Sequence, residues 1–585
     1  MTKKLSLFIL IFLFLFECYL TAAESSKYPD IVFPVENQSF PFISHSFIFG
    51  NTKPGSTVTV NGIDVKVHSN GAFLSFVPVE KGTFTFQVRS ELNGNVFENK
   101  RTVKISGKLK SSLPDSKEIR SVFMEPSTSM VLNPGVKVIM RFMGTPGKSA
   151  FFRFKEEEMR FEMKEIEYKG YLGVYEGIYT FKEEFQKPKE IIFELFDKQN
   201  RIAIKECPNT ILIKNFLFDD NYEVKENYVK ARNYPDGGYR LLLYKGIRLK
   251  ASGIIGPYIK LDLSDKENVY VNKKDITKVE KTGMLQDARI GNVKVLQDKD
   301  DIKIISACTR AVPYLVEEKI SDSTLSITFF SAHANIDKVQ NEHYKDIKNI
   351  SFQQIDQDVL KMDVILPFQP IWGWDILFEK NKMILSIKRP PVIKKETPFK
   401  NMVICIDAGH NPGAGAVGPT RLKEKDINWD IASKISKILK KNGAKVVMTR
   451  KVKKDEASLR ERVNFANSKK SRIFVSIHNN SVSNSVNPYD VFGTETYFYT
   501  PSSEILAEFV HNELVSATGF VDRGVHFGNF AVLRNPFLPS ILIEAAYIIV
   551  PEHEMLLKKE EFQGHIATSI VNGLKMFLLK NAKVI

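Results

Sequence analysis

The chain has 585 residues, 43% hydrophobic and 26% charged, with 83 Lys and Arg against 68 Asp and Glu and a formal net charge of +15. Such a length exceeds what one hydrophobic core serves and predicts about three to five domains. The basic residues are spread in Lys-rich patches with no compact stripe or reading motif, which argues against nucleic acid as a partner; attraction to an anionic envelope polymer or membrane surface, or a merely soluble surface, are the two readings left.

Met1-Thr2-Lys3-Lys4, the apolar run Leu5 to Phe16 and the small residues Thr21-Ala22-Ala23 read as a secretory signal over 1–23, cleaved before Glu24. The run is too short for a membrane span, so no stable span is expected after cleavage, with an uncleaved anchor as the alternative. Glu17 argues against a lipid anchor at Cys18. The expected location is the periplasm, or the cell wall and exterior. Cys207, Cys308 and Cys405 remain; they are far apart, odd in number and lack a C-x-x-C spacing, which points to neither a disulfide framework nor a thiolate metal site. Cys405, inside an apolar strand, reads as a small core hydrophobe.

Residues 28–107 alternate short strands with turns such as Lys53-Pro54-Gly55 and Asn61-Gly62, the pattern of a small β-sandwich, and they resemble immunoglobulin-like modules. A polar linker, 108–117, leads to a β-rich block at 118–216, with strands near 137–142, 174–180 and 190–195. A smaller β block at 218–282 fits an SH3-like barrel, and 284–392 again alternates, as in Asp301-Ile302-Lys303-Ile304-Ile305. None of these blocks contains a catalytic constellation. They read as adhesive or positioning modules, or as spacers.

After the linker 389–398 the pattern changes: strand 402–407, helix 426–441, strand 444–449, helix 457–467, strand 472–477. Ile427, Ile431, Ile435, Ile438 and Leu439 recur at helical spacing, and Asn442-Gly443 ends that helix as a left-handed cap. The whole therefore reads as all-β modules followed by an α/β domain, 400–585, with a mainly parallel sheet covered by helices on both faces. In such sheets functional groups collect beyond the carboxyl ends of the strands. His410 and His478 each follow an apolar strand, Glu424 opens the first helix, and Glu544 ends the strand Ser540-Ile541-Leu542-Ile543. Two imidazoles and a carboxylate suit a catalytic zinc with an open position, so the arrangement points to hydrolysis.

The motifs Ile-Asp-Ala-Gly-His (406–410), Leu-Lys-Glu-Lys-Asp (422–426), Val-Met-Thr-Arg (447–450), Leu-Arg-Glu-Arg-Val-Asn-Phe-Ala-Asn (459–467), Val-Ser-Ile-His-Asn-Asn (475–480), Gly-Thr-Glu-Thr-Tyr-Phe (493–498), Arg-Gly-Val-His (523–526), Phe-Ala-Val-Leu-Arg (530–534) and Pro-Ser-Ile-Leu-Ile-Glu (539–544) occur in one order. Through them, residues 402–580 resemble the zinc-dependent N-acetylmuramoyl-L-alanine amidases of the third amidase class, and 284–392 resembles the β-domain upstream of many such domains. The resemblance implies one Zn²⁺ held by His410, Glu424 and His478, Glu544 as the general acid/base, and peptidoglycan as the substrate, cut between N-acetylmuramic acid and L-alanine. A monomer is the default expectation.

Further residues take supporting roles in this reading. Asp407 accepts an imidazole or backbone N–H and holds the metal loop, Asn480 orients groups around the ligands, and Gly409 lets the backbone pass close to the metal. Arg450, Arg462 and Asn467 read as scaffold that packs helix against sheet or ties loops; Arg523, suited to a peptide carboxylate, faces the substrate, and His526 either joins it or is a solvent-exposed filler. Two departures stand out. Ala545-Ala546-Tyr547 through Glu554 replaces the run usual in relatives, and the connection from His478 to Gly493 is short, where relatives regulated by an inhibitory helix carry a longer insertion. The ligands alone also fit a zinc peptidase of stem-peptide bonds, though no His-Glu-x-x-His is present, and a wall-binding protein with a degenerate fold is the non-enzymatic alternative.

Overall fold

The computed structural model describes residues 28–585 apart from 108, 217–219, 227, 280–284, 299 and 341–344; the signal sequence and Cys18 lie outside the described residues. The first block is a sandwich. One sheet pairs Asp30–Phe33, His45–Asn51 and Ala72–Pro78, the other has five strands, and Ile48, Phe73, Phe86, Val88 and Val103 fill the space between. The second and third blocks have separate apolar cores but one hydrogen-bonded sheet, because Met130–Leu132 pairs with both Ile211–Ile213 and Gly253–Ile255. Two further sheets enclose the core of the fourth block around Ile304, Ile327, Met362 and Leu385.

The last domain comprises β1 (Val403–Ala408), α1 (Glu424–Lys441), β2 (Lys445–Met448), α2 (Leu459–Ser468), β3 (Ile473–Asn480), α3 (Pro488–Val491), β4 (Thr494–Phe498), α4 (Pro501–Thr518), β5 (Asp522–Phe527), β6 (Ser540–Tyr547), α5 (Pro551–Leu557) and α6 (Glu560–Asn581). Strand order is β2-β1-β3-β6-β4-β5. β2, β1, β3 and β6 are parallel, but β4 runs antiparallel to β6 and carries β5 with it. The sheet is therefore mixed: four of its five pairings are parallel, and the pair of β6 with β4 is the exception to the mainly parallel sheet expected. The reason is the short connection 481–493, whose only helix is the four-residue α3. It returns the chain at the same end of the sheet and contains no helix long enough to carry it back along a face, the usual crossover to a parallel strand.

Ile427, Ile431 and Ile435 of α1 bury against the sheet on the face shared with α4 and α6, and the capping Gly443 has φ +87°. Ala466 and Val463 of α2 pack on the opposite face, with Phe474, Leu542 and the segment Val532 to Leu538. A capping box, Ser458 with Glu461, starts α2. Since the chain leaves β1 for β2 on one side and reaches β3 on the other, the sheet's order reverses between β1 and β3. That is the place where open α/β sheets form clefts.

The β blocks pack on this domain. Trp372, fully buried, sits 5.2 Å from the Phe577 ring of α6, and Glu318 accepts from both Trp374 Nε1 and Ser502 N at 2.9 and 3.0 Å. Tyr239 of the third block bonds the Tyr499 hydroxyl at 2.6 Å. Phe47, Phe49 and Leu74 of the first sandwich join the last domain's largest apolar cluster. Cys207, Cys308 and Cys405 are buried free thiols. No helix among the described residues is long and apolar enough to cross a membrane.

Candidate functional site

Side chains of a strand alternate between faces, so registered neighbours share one. Asp407, Ser476 and Leu542 form one row across β1, β3 and β6; the next row toward the carboxyl ends is His478, Glu544 and Glu495. His410 lies just past β1, with φ +64°, followed by Asn411 at +63°. Such conformations persist only where surroundings enforce them. Here Arg462 of α2 does so: its guanidinium donates to the carbonyls of Ala408, His410 and Asn411 at 2.9, 2.5 and 2.9 Å, and to Asp407 at 2.6 Å.

Glu424 is the first residue of α1 and is 4% exposed. Its Oε2 lies 2.9 Å from His410 Nε2, its Oε1 3.0 Å from His478 Nδ1, and the three ligand atoms lie within 4.8 Å of one another. Ala416 N and Asn479 N donate to the same carboxylate at 2.8 and 3.2 Å, and Asn428 Nδ2 adds a bond at 3.3 Å. Burial by itself would raise this carboxyl; the hydrogen bonds and charges of His410 and His478 outweigh it and hold it well below the usual range. Gly409 is required, because a Cβ there would stand 2.3 Å from the His478 ring.

Glu544 is 9% exposed and its Oε2 has no hydrogen-bond partner. Burial first, then the charges of Glu424 and Glu495, push its carboxyl well above the usual range. Glu495 opposite is saturated: Tyr547 and Tyr497 hydroxyls donate at 2.8 and 2.7 Å, and Asn480 Nδ2 at 3.0 Å. The row thus offers, side by side, a candidate metal ligand, a carboxyl that favours its proton and a carboxyl fully supplied with hydrogen-bond donors.

Several supporting residues are placed differently from what the sequence suggests. Asp407 reaches no imidazole; it accepts from Arg462, Thr449 Oγ1 at 2.5 Å and Ser476 Oγ at 2.7 Å, and so acts on the His410 loop through Arg462. Asn480 serves Glu495, not a ligand. Arg523 flanks the row with Nε 4.0 Å from Glu495, and the exposed His526 ring bonds the Arg523 carbonyl at 2.6 Å. Arg450 is fully buried and bonds the Lys425 carbonyl of α1 at 3.0 Å, and Asn467 ties to Asn535 at 2.9 Å.

Two residues of the site escape a reading by sequence. Glu495 lies within the motif Gly-Thr-Glu-Thr-Tyr-Phe with no sign of its partner, and Glu554 within the unusual stretch after Glu544. Glu554, fully buried, accepts from Thr420 N at 3.0 Å, Thr420 Oγ1 at 2.8 Å and Leu422 N at 3.4 Å, thereby holding the loop between His410 and Glu424. Burial raises its carboxyl, and the Thr420 bonds oppose that.

The family of N-acetylmuramoyl-L-alanine amidases, Amidase_3, matches residues 404–576. The chain is 35% identical over 200 residues to the Bacillus subtilis protein named uncharacterized protein YqiI, covering 33% of this chain and 93% of that one. To the probable cell wall amidase LytH of Staphylococcus epidermidis it is 29% identical over 237 residues, 40% of this chain and 77% of that one. To N-acetylmuramoyl-L-alanine amidase LytC of Bacillus subtilis it is 35% identical over 183 residues, 30% of this chain and 36% of that one.

Proposed function

Because the chain belongs, through residues 404–576, to the N-acetylmuramoyl-L-alanine amidase family, we propose that it is a zinc-dependent peptidoglycan hydrolase. It cuts the amide between the lactyl carboxyl of N-acetylmuramic acid and the amino group of L-alanine. The observation that carries the reading is the convergence of His410, Glu424 and His478 beside the unpartnered carboxyl of Glu544.

The donor set fits one Zn²⁺: this borderline-soft ion is bound by imidazole nitrogen and carboxylate oxygen alike, and three ligands leave a position open. When bound, the ion supplies a lowered pKa for water and polarises an amide carbonyl. The rest falls to the chain. His410 and His478 would hold the ion through their ring nitrogens, with Glu424 aligned between them by Asn428 and the amides of Ala416 and Asn479. Glu544 takes a proton from the attacking water and delivers it to the departing amine, a role suited to a carboxyl whose pKa lies above its ordinary value. Arg462 and Asp407 hold the His410 loop in its left-handed turn. Arg523 sits at the edge of the row, where a stem-peptide carboxylate would pair with it.

Export through the signal at 1–23 places the enzyme in the periplasm or at the wall. There the net charge of +15 draws it to peptidoglycan and anionic envelope polymers. The four β blocks position the catalytic domain. The test is to incubate the protein with intact peptidoglycan, with and without chelator, and identify products by mass spectrometry. Chelator-sensitive release of peptides that begin with L-alanine supports the reading; cleavage within stem peptides, or none by zinc-loaded protein, overturns it.

A further inference from the structure

Residues 411–423 join two of the proposed ligands, His410 and Glu424, and contain no helix or strand, only an isolated bridge between Val417 and Lys423. Their side chains are mostly small, so the loop builds little core of its own. It nevertheless lies against the site. A Cβ at Gly415 would stand 2.5 Å from Glu424 Oε2 and 2.6 Å from His410 Cδ2. Displacement of this loop therefore displaces the ligands.

The far end of the loop is held from a distance of nearly four hundred residues in sequence. Arg421, with φ +63°, ends the turn 418–421, in which Arg421 N donates to Gly418 O at 2.9 Å. Its Nε and second guanidinium nitrogen meet both oxygens of Asp30, in the first strand of the N-terminal sandwich, at 2.6 and 2.7 Å. Asn51 of the adjacent strand donates to the Pro419 carbonyl at 2.8 Å, and Lys66 reaches Glu552 of α5 at 3.1 Å. Beneath these contacts Phe47, Phe49 and Leu74 share the catalytic domain's apolar cluster, so the sandwich is seated on it and not merely strung to it. A two-pronged Arg–carboxylate pair fixes direction as well as distance, which a point charge does not.

We propose that the N-terminal sandwich is an in-cis clamp on the metal loop. Asp30 and Asn51 are positioning residues that set the 418–421 turn, and through it the placement of Glu424 relative to the two imidazoles. This rests on the zinc reading above. The first β block thereby gains a definite role, since a protein stripped of it would keep every ligand yet hold the metal poorly.

Two measurements on the full chain test it: zinc affinity by chelator competition, and amide hydrogen exchange of residues 411–423 in metal-free protein. Asp30→Ala and Arg421→Ala should each weaken zinc by about tenfold, the range seen when groups supporting metal ligands are removed. Both should speed exchange in 411–423, and the double variant should cost no more than either single one. Arg421→Lys, which keeps charge without the fork, should fall between. Arg421 is exposed, so its variant stays informative even if Asp30→Ala disturbs the sandwich. Zinc affinity and exchange within about twofold of wild type in both single variants would overturn the clamp. Wild-type protein that takes up no zinc would instead overturn the metal reading itself.

Discussion

Glu544 and Glu495 stand opposite one another across the antiparallel pair β6 and β4, and only Glu495 has hydrogen-bond donors. The asymmetry divides the labour between two carboxyls in one environment. Glu495 is solvated by two tyrosines and an asparagine, whereas the orphan Oε2 of Glu544 makes its anion costly and its proton easy to keep.

Glu544→Gln should therefore reduce hydrolysis by about 10²- to 10⁴-fold, the usual share of a general acid/base, with zinc content unchanged. In metal-free protein it should also raise thermal stability at pH 7. The folded pKa lies above the unfolded value of about 4.3, so the folded state retains a proton that the unfolded state has released, and the wild type loses stability as pH rises through that window. Melting curves against pH check the sign: the advantage of the variant should vanish below about pH 4.

His410→Ala and His478→Ala should each leave the purified protein nearly free of metal, where wild type carries about one zinc per chain. Atomic emission on dialysed samples decides this. Glu424 then loses a donor that opposes its burial, so each variant should also melt below metal-free wild type.

Arg462→Ala should cost about 3–5 kcal/mol in stability, because it strands buried Asp407 without its partner. It also frees three carbonyls of the His410 loop, so zinc affinity should fall by about 10- to 100-fold. Asp407→Asn combined with Arg462→Ala should recover part of the stability and none of the affinity, since only the arginine holds the loop. Chemical denaturation and chelator titration read the two effects separately.

His553 gives a second pH dependence. Its ring is buried, stacks 3.6 Å from Phe520 and accepts from Tyr547 N at 3.0 Å, and burial lowers its pKa to about 4. The folded value lies below the unfolded one, so this residue's contribution is complete above about pH 6.5 and is lost as pH falls toward the folded value. His553→Asn, which can still accept from Tyr547 N, should flatten the fall in melting temperature across that interval.

The sequence was legible wherever chemistry and period coincide. Apolar runs leading to His410, His478 and Glu544 mark the strands themselves, although β3 and β6 continue to Asn480 and Tyr547, past the ends expected at His478 and Glu544; the isoleucine spacing of α1 marks a buried face, because side-chain direction follows backbone period without reference to the rest of the chain. Partners chosen across space were not legible. Asp407 looked like a hydrogen-bond acceptor for the metal loop, and it acts there only through Arg462, which arrives from α2 on the opposite side of the crossover. The reversal of β4 followed from a connection too short to cross the sheet, yet nothing within β4 itself announces its direction. The candidate metal-binding residues and the element types were thus determined by the sequence, since both are set by residue chemistry and local periodicity. Tertiary structure alone decided that Glu495 faces Glu544, that Glu554 grips Thr420, and that Asp30 meets Arg421, because each pairs groups brought together only when separate elements pack.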